Sequence, residues 1–227
     1  MTGTFLNIIT VLIGGVIGLR FGSRLPERIR STIVAGLGLF TAAFGLQMFF
    51  ETENAIIVLA SLLVGGVLGE WWRIEERLSS LGSLLEARFA QASTGDTRQR
   101  FIKGFLTASL VFCVGPMTIL GSIQDGLTGD FSLLAIKSVL DGFASLAFSA
   151  TLGIGVLFST LVILVYQGGL SLLAAQAQAV VSTAMMNEMT AVGGVILLGI
   201  AVSSLLEIKP IRVGSFLPAL LIAPALV

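Results

Sequence analysis

Runs of about 20 apolar residues, the length that an α-helix needs to cross a bilayer, recur from one end of the chain to the other. We therefore predict an all-α polytopic membrane protein that forms a single transmembrane domain over residues 1–227. The predicted spans are residues 4–20, 31–50, 55–72, 101–122, 132–153, 154–173 and 189–206, with an eighth at 211–227. That tail of 17 residues reaches about 25 Å as a helix and carries Pro218 and Pro224, so we expect a short or broken span.

Residues 73–90 have a different pattern from the spans. Their apolar side chains repeat at intervals of three and four residues, which places them along one stripe of a helix: Ile74, Leu78, Leu81, Leu85 and Phe89. Charged residues and serines fill the opposite face. We predict an amphipathic helix lying on the membrane surface, with a helix packed on the protein itself as the alternative. A polar linker at residues 91–100 follows it.

The composition excludes several classes of protein. The chain is 55% hydrophobic and only 11% charged, whereas soluble domains carry about a quarter of charged residues, so lipid must solvate its surface. The net charge of zero gives no indication of nucleic-acid binding. The absence of His and the single Cys113 exclude an internal disulfide and a Ser–His pair, and they disfavour a Cys/His metal site. We expect no enzymatic activity, no metal and no cofactor.

Basic residues predict the orientation of the chain. Twelve of the thirteen Lys and Arg residues fall on one side of the membrane when the spans are threaded through it, and only Lys137 is left over. Cytoplasmic loops carry an excess of basic residues, so the loops after spans 1, 3 and 7 are predicted to be cytoplasmic. No basic residue precedes the first apolar run, which therefore lacks a signal peptide's charged leader. With eight spans, both termini lie outside.

A glycine-rich motif indicates an internal repeat. LIGGVIG at residues 12–18 recurs as LVGGVLG at 63–69, and each copy is followed by a basic amphipathic segment. A weaker echo, GGVILLG, occupies residues 193–199. Repeats are common in transporters, where binding sites lie between the copies. The alternative is that these glycines only allow helices to pack closely. So few spans also suggest a homo-oligomer such as a dimer, which the Gly-rich spans 1 and 3 could pack.

Span 5 carries the polar residues of greatest interest. Lys137, Asp141, Ser145 and Ser149 are spaced four apart and form a stripe on one helix face. A charge at the bilayer centre costs roughly 2.5–3.5 kcal/mol, so it persists for a reason. Either Lys137 and Asp141 neutralise each other so that the helix can insert, or the stripe lines a polar cavity in which Asp141 binds a cation or a proton. The sequence leaves both interpretations open.

Span 4 is predicted to be broken. Gly115 and Pro116 interrupt it, and Gly121 adds flexibility. Because proline has no N–H, the carbonyl of Phe112 must find another partner. A broken helix beside polar side chains is typical of a transporter site, for which this segment offers Ser122, Gln124 and Asp125. The alternative is a proline kink followed by an ordinary Asp-Gly turn, with Asp130 capping span 5.

Span 7 opens with Asn187 and Glu188. Glu188 either lies among the outer headgroups or faces the same cavity as Asp141. Asn7 and Thr10 in span 1 precede Gly14-Gly15 with the spacing that Asn187 and Thr190 have before the next Gly-Gly pair. Hydrogen bonding between helices is the simpler explanation for these residues.

The sequence also resembles a known family. GFLTASLVFCVGPMTILGSIQDGLTGD, LLAIKSVLDGFASLAFSATLGIGVLFS, NEMTAVGGVILLGI and RVGSFLPALL are similar to segments of the YdfK/YqgA family of uncharacterised bacterial inner-membrane proteins. The resemblance extends over nearly the whole chain. It implies a protein of the bacterial cytoplasmic membrane, and it implies no established activity.

These observations favour a small transporter or permease for an ion or small polar solute. Its site would lie between the broken span 4, span 5 and the start of span 7. Asp141 would be the cation or proton ligand, and Lys137 its partner or an anion contact. The substrate or gate contacts would be Asp125, Gln124, Asn187 and Glu188. A second possibility is an ion channel that uses the same polar stripe. A third is a non-transporting signalling or envelope-organising protein, whose partner would bind the amphipathic helix.

Overall fold

The computed structural model describes residues 1–22, 26–89, 95–113 and 116–227, and within these ranges it contains helices and no strands. The prediction of an all-α protein is confirmed. In this part of the chain five helices are long and apolar enough to cross a membrane, or seven if each of two bent helix pairs is one span. The segment Val213–Ala225 is a shorter apolar helix. A count of eight spans is therefore not established.

The chain divides into two compact units. The first comprises Met1–Val34 and Gly82–Val180, and the second comprises Ala35–Leu81 and Val181–Val227. The helices, numbered along the chain, are α1 Thr2–Gly22, α2 Glu27–Phe49, α3 Ala55–Trp71, α4 Ile74–Phe89, α5 Gly95–Cys113, α6 Pro116–Thr128, α7 Ser132–Leu152, α8 Ser159–Leu172, α9 Ala174–Val180, α10 Thr183–Ile200 and α11 Ala219–Ala225.

In the first unit, α1 packs along α7 through glycines. A Cβ atom added to Gly14, Gly18 or Gly22 would lie 2.1–2.2 Å from a backbone oxygen of α7, so these positions have no room for a side chain. The three oxygens belong, in the same order, to Gly142, Leu146 and Ala150. Both sets ascend by four, so the helices run parallel and in register. Close approach of this kind is how helices associate in lipid, where apolar burial alone gives no preference.

In the second unit, the other copy of the glycine motif makes similar contacts with a different partner. A Cβ atom on Gly65 would lie 2.5 Å from the nitrogen of Ala219, and one on Gly69 would lie 1.8 Å from the oxygen of Ser215. The partner numbers descend, so α3 and the chain at 215–219 run antiparallel. Both copies therefore serve close packing, while the duplication itself stays a prediction.

Helix α4 begins in the second unit, and its first turn is anchored there by hydrogen bonds and ion pairs. The backbone N–H of Gly214 donates to Glu75 at 2.7 Å, and Arg212 pairs with Glu70 at 2.7 Å and with Glu76 at 3.5 Å. In the first unit, Gly82 is buried against side chains of α5. Leu81 and Leu84 stay exposed. These contacts agree with the alternative of a helix packed on the protein. The location of α4 on the membrane surface stays a prediction.

Several predicted boundaries differ from the structure. Residues 95–100, predicted as linker, form the first turns of α5, and residues 123–128, predicted as a turn, complete α6. Helix α10 begins at Thr183, six residues before the predicted start at 189, because Ser182 caps it by accepting a hydrogen bond from the N–H of Met185. The span was predicted to start after the polar pair Asn187–Glu188. Both side chains instead lie inside α10 and bond to Glu53 and Thr52 of the same unit.

Candidate functional site

Lys137 and Asp141 form a buried ion pair on α7. They lie four residues apart, so they share one face of the helix, and the Nζ of Lys137 contacts the Oδ2 of Asp141. The two residues are only 6% and 8% exposed. Asp141 is the tenth residue of α7, about 14 Å from the start of the helix, which is near the middle of a bilayer about 30 Å thick.

Amide side chains from two other helices complete this site. The Nδ2 of Asn7 on α1 donates to the Oδ2 of Asp141 at 3.0 Å and to the Oε1 of Gln167 on α8 at 3.0 Å. The Nε2 of Gln167 in turn donates to the hydroxyl of Thr4 at 3.3 Å. Thr4, Asn7 and Gln167 are fully buried. We call Thr4, Asn7, Lys137, Asp141 and Gln167 the Asp141 cluster.

The remaining two residues of the predicted stripe, Ser145 and Ser149, lie where α7 packs against α1. The hydroxyl of Ser145 donates to the backbone carbonyl of Val11 on α1 at 2.8 Å. The Oγ atoms of Ser145 and Ser149 both lie next to Gly15, at 3.1 and 3.2 Å from where a Cβ would be. Ser145 therefore fastens the contact between α1 and α7 one turn beyond Asp141.

The predicted break in span 4 coincides with a change in helix direction. The helical segments Arg98–Cys113 and Met117–Thr128 differ in direction by 62°. Gly115 lies outside the described residues, and Pro116 is the first residue of α6. The carbonyl of Phe112, which loses its usual donor to the proline, accepts a hydrogen bond from the hydroxyl of Thr118 at 3.3 Å. That compensates for the missing bond, as a buried carbonyl in lipid requires.

Two other residues predicted around this break have structural roles in the folded protein. Gly121, predicted as part of a gate, lies inside the continuous helix α6, where a Cβ would lie 2.8 Å from the side chain of Leu134. The glycine thus permits close packing and does not break the helix. Ser122 is fully buried, and its hydroxyl donates to the carbonyl of Thr118 within the same helix.

Gln124 and Asp125 are adjacent in the sequence but differ in burial and in hydrogen-bond partners. The amide of Gln124 is exposed and donates to Asp130 at 2.8 Å. Asp125 is buried, and its Oδ2 accepts from the backbone nitrogens of Met1 and Gly3 at 2.9 and 3.2 Å. A carboxylate in this position satisfies the free N–H groups at the start of α1 and is favoured by the helix dipole.

Glu188 accepts hydrogen bonds from the turn that precedes α3. It is 2% exposed, and its carboxylate accepts from the hydroxyl of Thr52 at 2.7 Å and from the N–H groups of Glu53 and Asn54 at 2.9 and 3.0 Å. Asn187 donates to the side chain of Glu53 at 2.9 Å. All these residues belong to the second unit. The structure therefore assigns Asn187 and Glu188 partners other than the Asp141 cluster with which they were predicted to act.

Three members of the Asp141 cluster were not part of the predicted site. Thr4 and Gln167 were missed, and Asn7 was noted only as a residue for hydrogen bonding between helices. Gln167 carried a usable signal, because it is an amide inside the apolar run VILVYQGGLSLL. A polar side chain in the middle of a span rarely lies against lipid, so it indicates a buried partner.

A cleft in the second unit has a different character. It encloses about 370 Å³ between α3, α10 and the chain at residues 211–216, and its walls are almost entirely apolar. Without polar groups to fix an orientation, it has no means of recognising an ion or a polar solute. The cleft is therefore a poorer candidate for an ion or polar-solute site than the Asp141 cluster.

The helices and this cluster together define an integral membrane protein that holds a charge pair and amides among its spans. Within that class, the chain belongs to the family described as "Protein of unknown function (DUF554)", whose match covers residues 2–227. The chain is 32% identical over 221 residues to the "Uncharacterized protein YqgA" of Escherichia coli (strain K12), covering 97% of this chain and 94% of that protein. It is 29% identical over 231 residues to the "Uncharacterized membrane protein YdfK" of Bacillus subtilis (strain 168), covering 100% and 96%. No solved structure matches the chain significantly.

Proposed function

We propose that this membrane protein is a small transporter or permease for an ion or small polar solute, and that the Asp141 cluster is its binding site. The buried Lys137–Asp141 pair near the middle of α7 is the observation that carries the proposal. Charges at this depth are costly and are characteristic of ion and substrate pathways.

A purely structural pair is the competing explanation, and the amides argue against it. If Lys137 served only to neutralise Asp141 during insertion, the pair would need nothing from the neighbouring helices. Asn7 and Gln167 instead bring two further buried polar groups to the same point, each carrying its own desolvation cost. An apolar helix face would be at least as stable, since replacing buried ion pairs by apolar residues is often neutral or stabilising.

The location, orientation and oligomeric state of the protein form the second part of the proposal. We infer that the protein resides in the bacterial cytoplasmic membrane with its basic loops in the cytoplasm and its N-terminus outside, following the distribution of Lys and Arg. Lipid covers its exposed apolar helix faces. We further infer a homo-oligomer such as a dimer, because a membrane protein with few spans gains additional helix contacts by association.

A thermal-shift screen of the detergent-purified protein tests the binding site. Inorganic cations, amino acids and organic acids are added singly at several pH values, because a ligand that binds the folded state raises its stability by mass action. We expect one class of ligand to raise the Tm of the wild type and to have no effect on Asp141→Asn. Asp130→Asn is the matched control, since it makes the same change at an exposed carboxylate.

A second variant keeps the test decisive if Asp141→Asn folds poorly. Lys137→Met/Asp141→Asn removes both charges together, so no lone charge is left buried. If this double variant folds and responds to every ligand as the wild type does, the cluster is not the binding site. Ligand-dependent flux in proteoliposomes then separates transport from binding. Flux with high unitary conductance and no dependence on a coupling gradient would identify a channel instead.

A further inference from the structure

The Asp141 cluster carries one charge of each sign and no net charge. Lys137 and Asp141 are its two charged members and are paired with each other, while Thr4, Asn7 and Gln167 are neutral and buried. A charge left alone in a low-dielectric interior is costly, so a buried cluster is most stable when its charges sum to zero. Any solute that binds here has to preserve that balance.

One buried oxygen of the cluster has no hydrogen-bond donor. The Oδ1 of Asn7 makes no hydrogen bond among the described residues, although the Nδ2 of the same amide makes two. Rotating the amide by 180° would not remedy this, because the oxygen would then lie against the carboxylate Oδ2 of Asp141. Buried acceptors without a donor are rare in folded proteins. Asn7 therefore offers a free acceptor to a group that carries N–H or O–H.

This free oxygen lies close to the carboxylate of Asp141. The oxygen and nitrogen of an amide are bonded to the same carbon and lie about 2.2 Å apart. Because the Nδ2 of Asn7 is 3.0 Å from the Oδ2 of Asp141, its Oδ1 lies no more than about 5.2 Å from the same Oδ2. A hydrogen bond from N–H to oxygen spans about 2.7–3.2 Å. A single ammonium group between the two oxygens can therefore donate to both.

The ammonium of Lys137 is the group that such a solute displaces from Asp141. Its four-carbon stem is flexible, so it can leave the carboxylate without a movement of α7. Once displaced, it is a buried cation that requires an anion. A solute with an ammonium alone leaves Lys137 unpaired, one with a carboxylate alone leaves Asp141 unpaired, and a neutral solute brings a partner for neither. A solute with both charges pairs with both residues.

We propose that the Asp141 cluster binds a zwitterionic α-amino acid, a proposal that rests on the transporter function inferred above. The ammonium of the amino acid donates to the Oδ2 of Asp141 and to the Oδ1 of Asn7, and its carboxylate accepts from the ammonium of Lys137. No proton is transferred, and the cluster stays neutral. The two charged groups of the amino acid are attached to one carbon, which suits two side chains that are themselves in contact.

Binding to the purified wild type tests the requirement for both charges. Each of the standard amino acids is titrated into the detergent-solubilised protein at neutral pH by calorimetry, with methylamine and acetate as probes that carry one charge each. We expect at least one amino acid to bind, and both single-charge probes to bind at least about tenfold more weakly, since each lacks one ion pair. Asp141→Asn should lose the amino acid, whereas Asp130→Asn, the same change at an exposed carboxylate, should keep it.

The N–H groups of the amino acid test the role of Asn7. Successive N-methylation of the amino acid that binds keeps both charges and removes N–H groups until the betaine has none. With two acceptors to satisfy, the affinity of the wild type should fall at least about tenfold between two N–H groups and one. Asn7→Ala leaves one acceptor, so this step should nearly vanish. Asn187→Ala should keep the wild-type step, because Asn187 bonds to Glu53 instead.

The outcomes separate this substrate class from the transporter function. The amino-acid proposal is overturned if no amino acid binds, or if methylamine, acetate or the betaine binds as tightly as the amino acid. An equal methylation step in the wild type and in Asn7→Ala overturns it as well, and the wild-type series decides alone where Asn7→Ala does not fold. Uptake into proteoliposomes of a solute of another class, lost in Asp141→Asn, overturns the proposal and leaves the transporter. Binding as expected, without uptake of the radiolabelled amino acid into proteoliposomes, overturns the transporter alone.

Discussion

At the scale of single residues, Asn7 connects the parts of the cluster. Its one Nδ2 group donates to the carboxylate of Asp141 and to the amide of Gln167, so that α1, α7 and α8 meet at one atom. Buried hydrogen bonds of this kind matter because the alternative in lipid is an unsatisfied group, although measured values in membranes are modest. Asn7 is therefore the residue that joins the three helices of the cluster.

We predict that Asn7→Ala lowers the stability of the protein by about 1–2 kcal/mol, because both acceptors lose their donor at once. Thermal unfolding in detergent measures the change. Asn187→Ala is the matched control, since Asn187 also lies on an apolar helix but bonds to Glu53 at an exposed site. Equal losses of stability in the two variants would contradict a special role for the buried asparagine.

At the scale of secondary-structure elements, the parallel pair of α1 and α7 holds the cluster in place. Asp141 directly precedes Gly142, whose backbone Gly14 approaches, and Asn7 lies about two helical turns before Gly14 on α1. Serine and glycine then continue the contact toward the end of both helices. The ion pair and its amide partner therefore depend on how closely these two helices approach.

Gly14→Ala should disrupt this approach, since the new Cβ would lie 2.1 Å from the oxygen of Gly142. Overpacking of this kind typically costs about 1–3 kcal/mol, and a backbone oxygen cannot rotate away as a side chain can. We expect a lowered Tm and weakened ligand responses at the cluster. Gly36→Ala is the control, because nothing lies within 4 Å of a Cβ there, and alanine in a helix is about 0.5–1 kcal/mol more favourable than glycine. A Tm for Gly14→Ala at or above that of the wild type would refute the contact.

The start of α7 gives a prediction about pH. The hydroxyl and backbone N–H of Ser132 donate to Asp130, and they hold the pKa of this carboxyl below its usual range. A lowered carboxyl pKa in the folded protein means a stabilisation that is present above the unfolded pKa and is lost as the pH falls through the folded pKa. Because Asp130 is exposed, the effect is small.

We therefore expect Asp130→Asn to reduce the Tm slightly at neutral pH. The difference from the wild type should shrink as the solution is acidified below about pH 4, the usual range of aspartate. Tm measurements across the pH range 3–7 in the same detergent test this. A difference that stayed constant over the whole range would mean that the charge of Asp130 contributes nothing to the start of α7.

At the scale of the whole molecule, the membrane determines where each loop lies. In the second unit the chain before α3 is acidic, with Glu51 and Glu53, while the chain after α10 carries Lys209 and Arg212. The rule that basic loops stay in the cytoplasm assigns these segments to opposite sides. Burial of Glu188 beneath the acidic turn adds to the concentration of negative charge at that end.

This orientation predicts the labelling of single cysteines. In a Cys113→Ser background, Glu51→Cys should react with a membrane-impermeant thiol reagent added to intact cells. Lys209→Cys should react only after the membrane is opened. Both positions are exposed in the structure, so access to the reagent depends on the side of the membrane alone. Labelling of Lys209→Cys in intact cells would reverse the orientation.

Sequence patterns were sufficient to predict the features that depend only on residues close together in the chain. The apolar runs predicted helices in the right places, since the length of a span follows from the thickness of the bilayer. The four-residue spacing of Lys137 and Asp141 allowed them to pair because it places both side chains on one helix face, and in the structure they do pair. The missing N–H of Pro116 likewise predicted that the Phe112 carbonyl would need another donor, although it did not indicate Thr118.

Contacts between distant parts of the chain were beyond those patterns. Nothing in the spacing of Asn7 indicates that it meets Asp141, 134 residues away, or Gln167, 160 residues away, because tertiary packing decides which helix faces which. Asp125 and Glu188 were predicted as members of one site, yet Asp125 accepts from the start of α1, whereas Glu188 accepts from the turn that precedes α3. The sequence by itself determined an all-helical membrane protein with a charge pair on one helix. Only the tertiary structure decided which polar groups surround that pair, because their partners come from other helices.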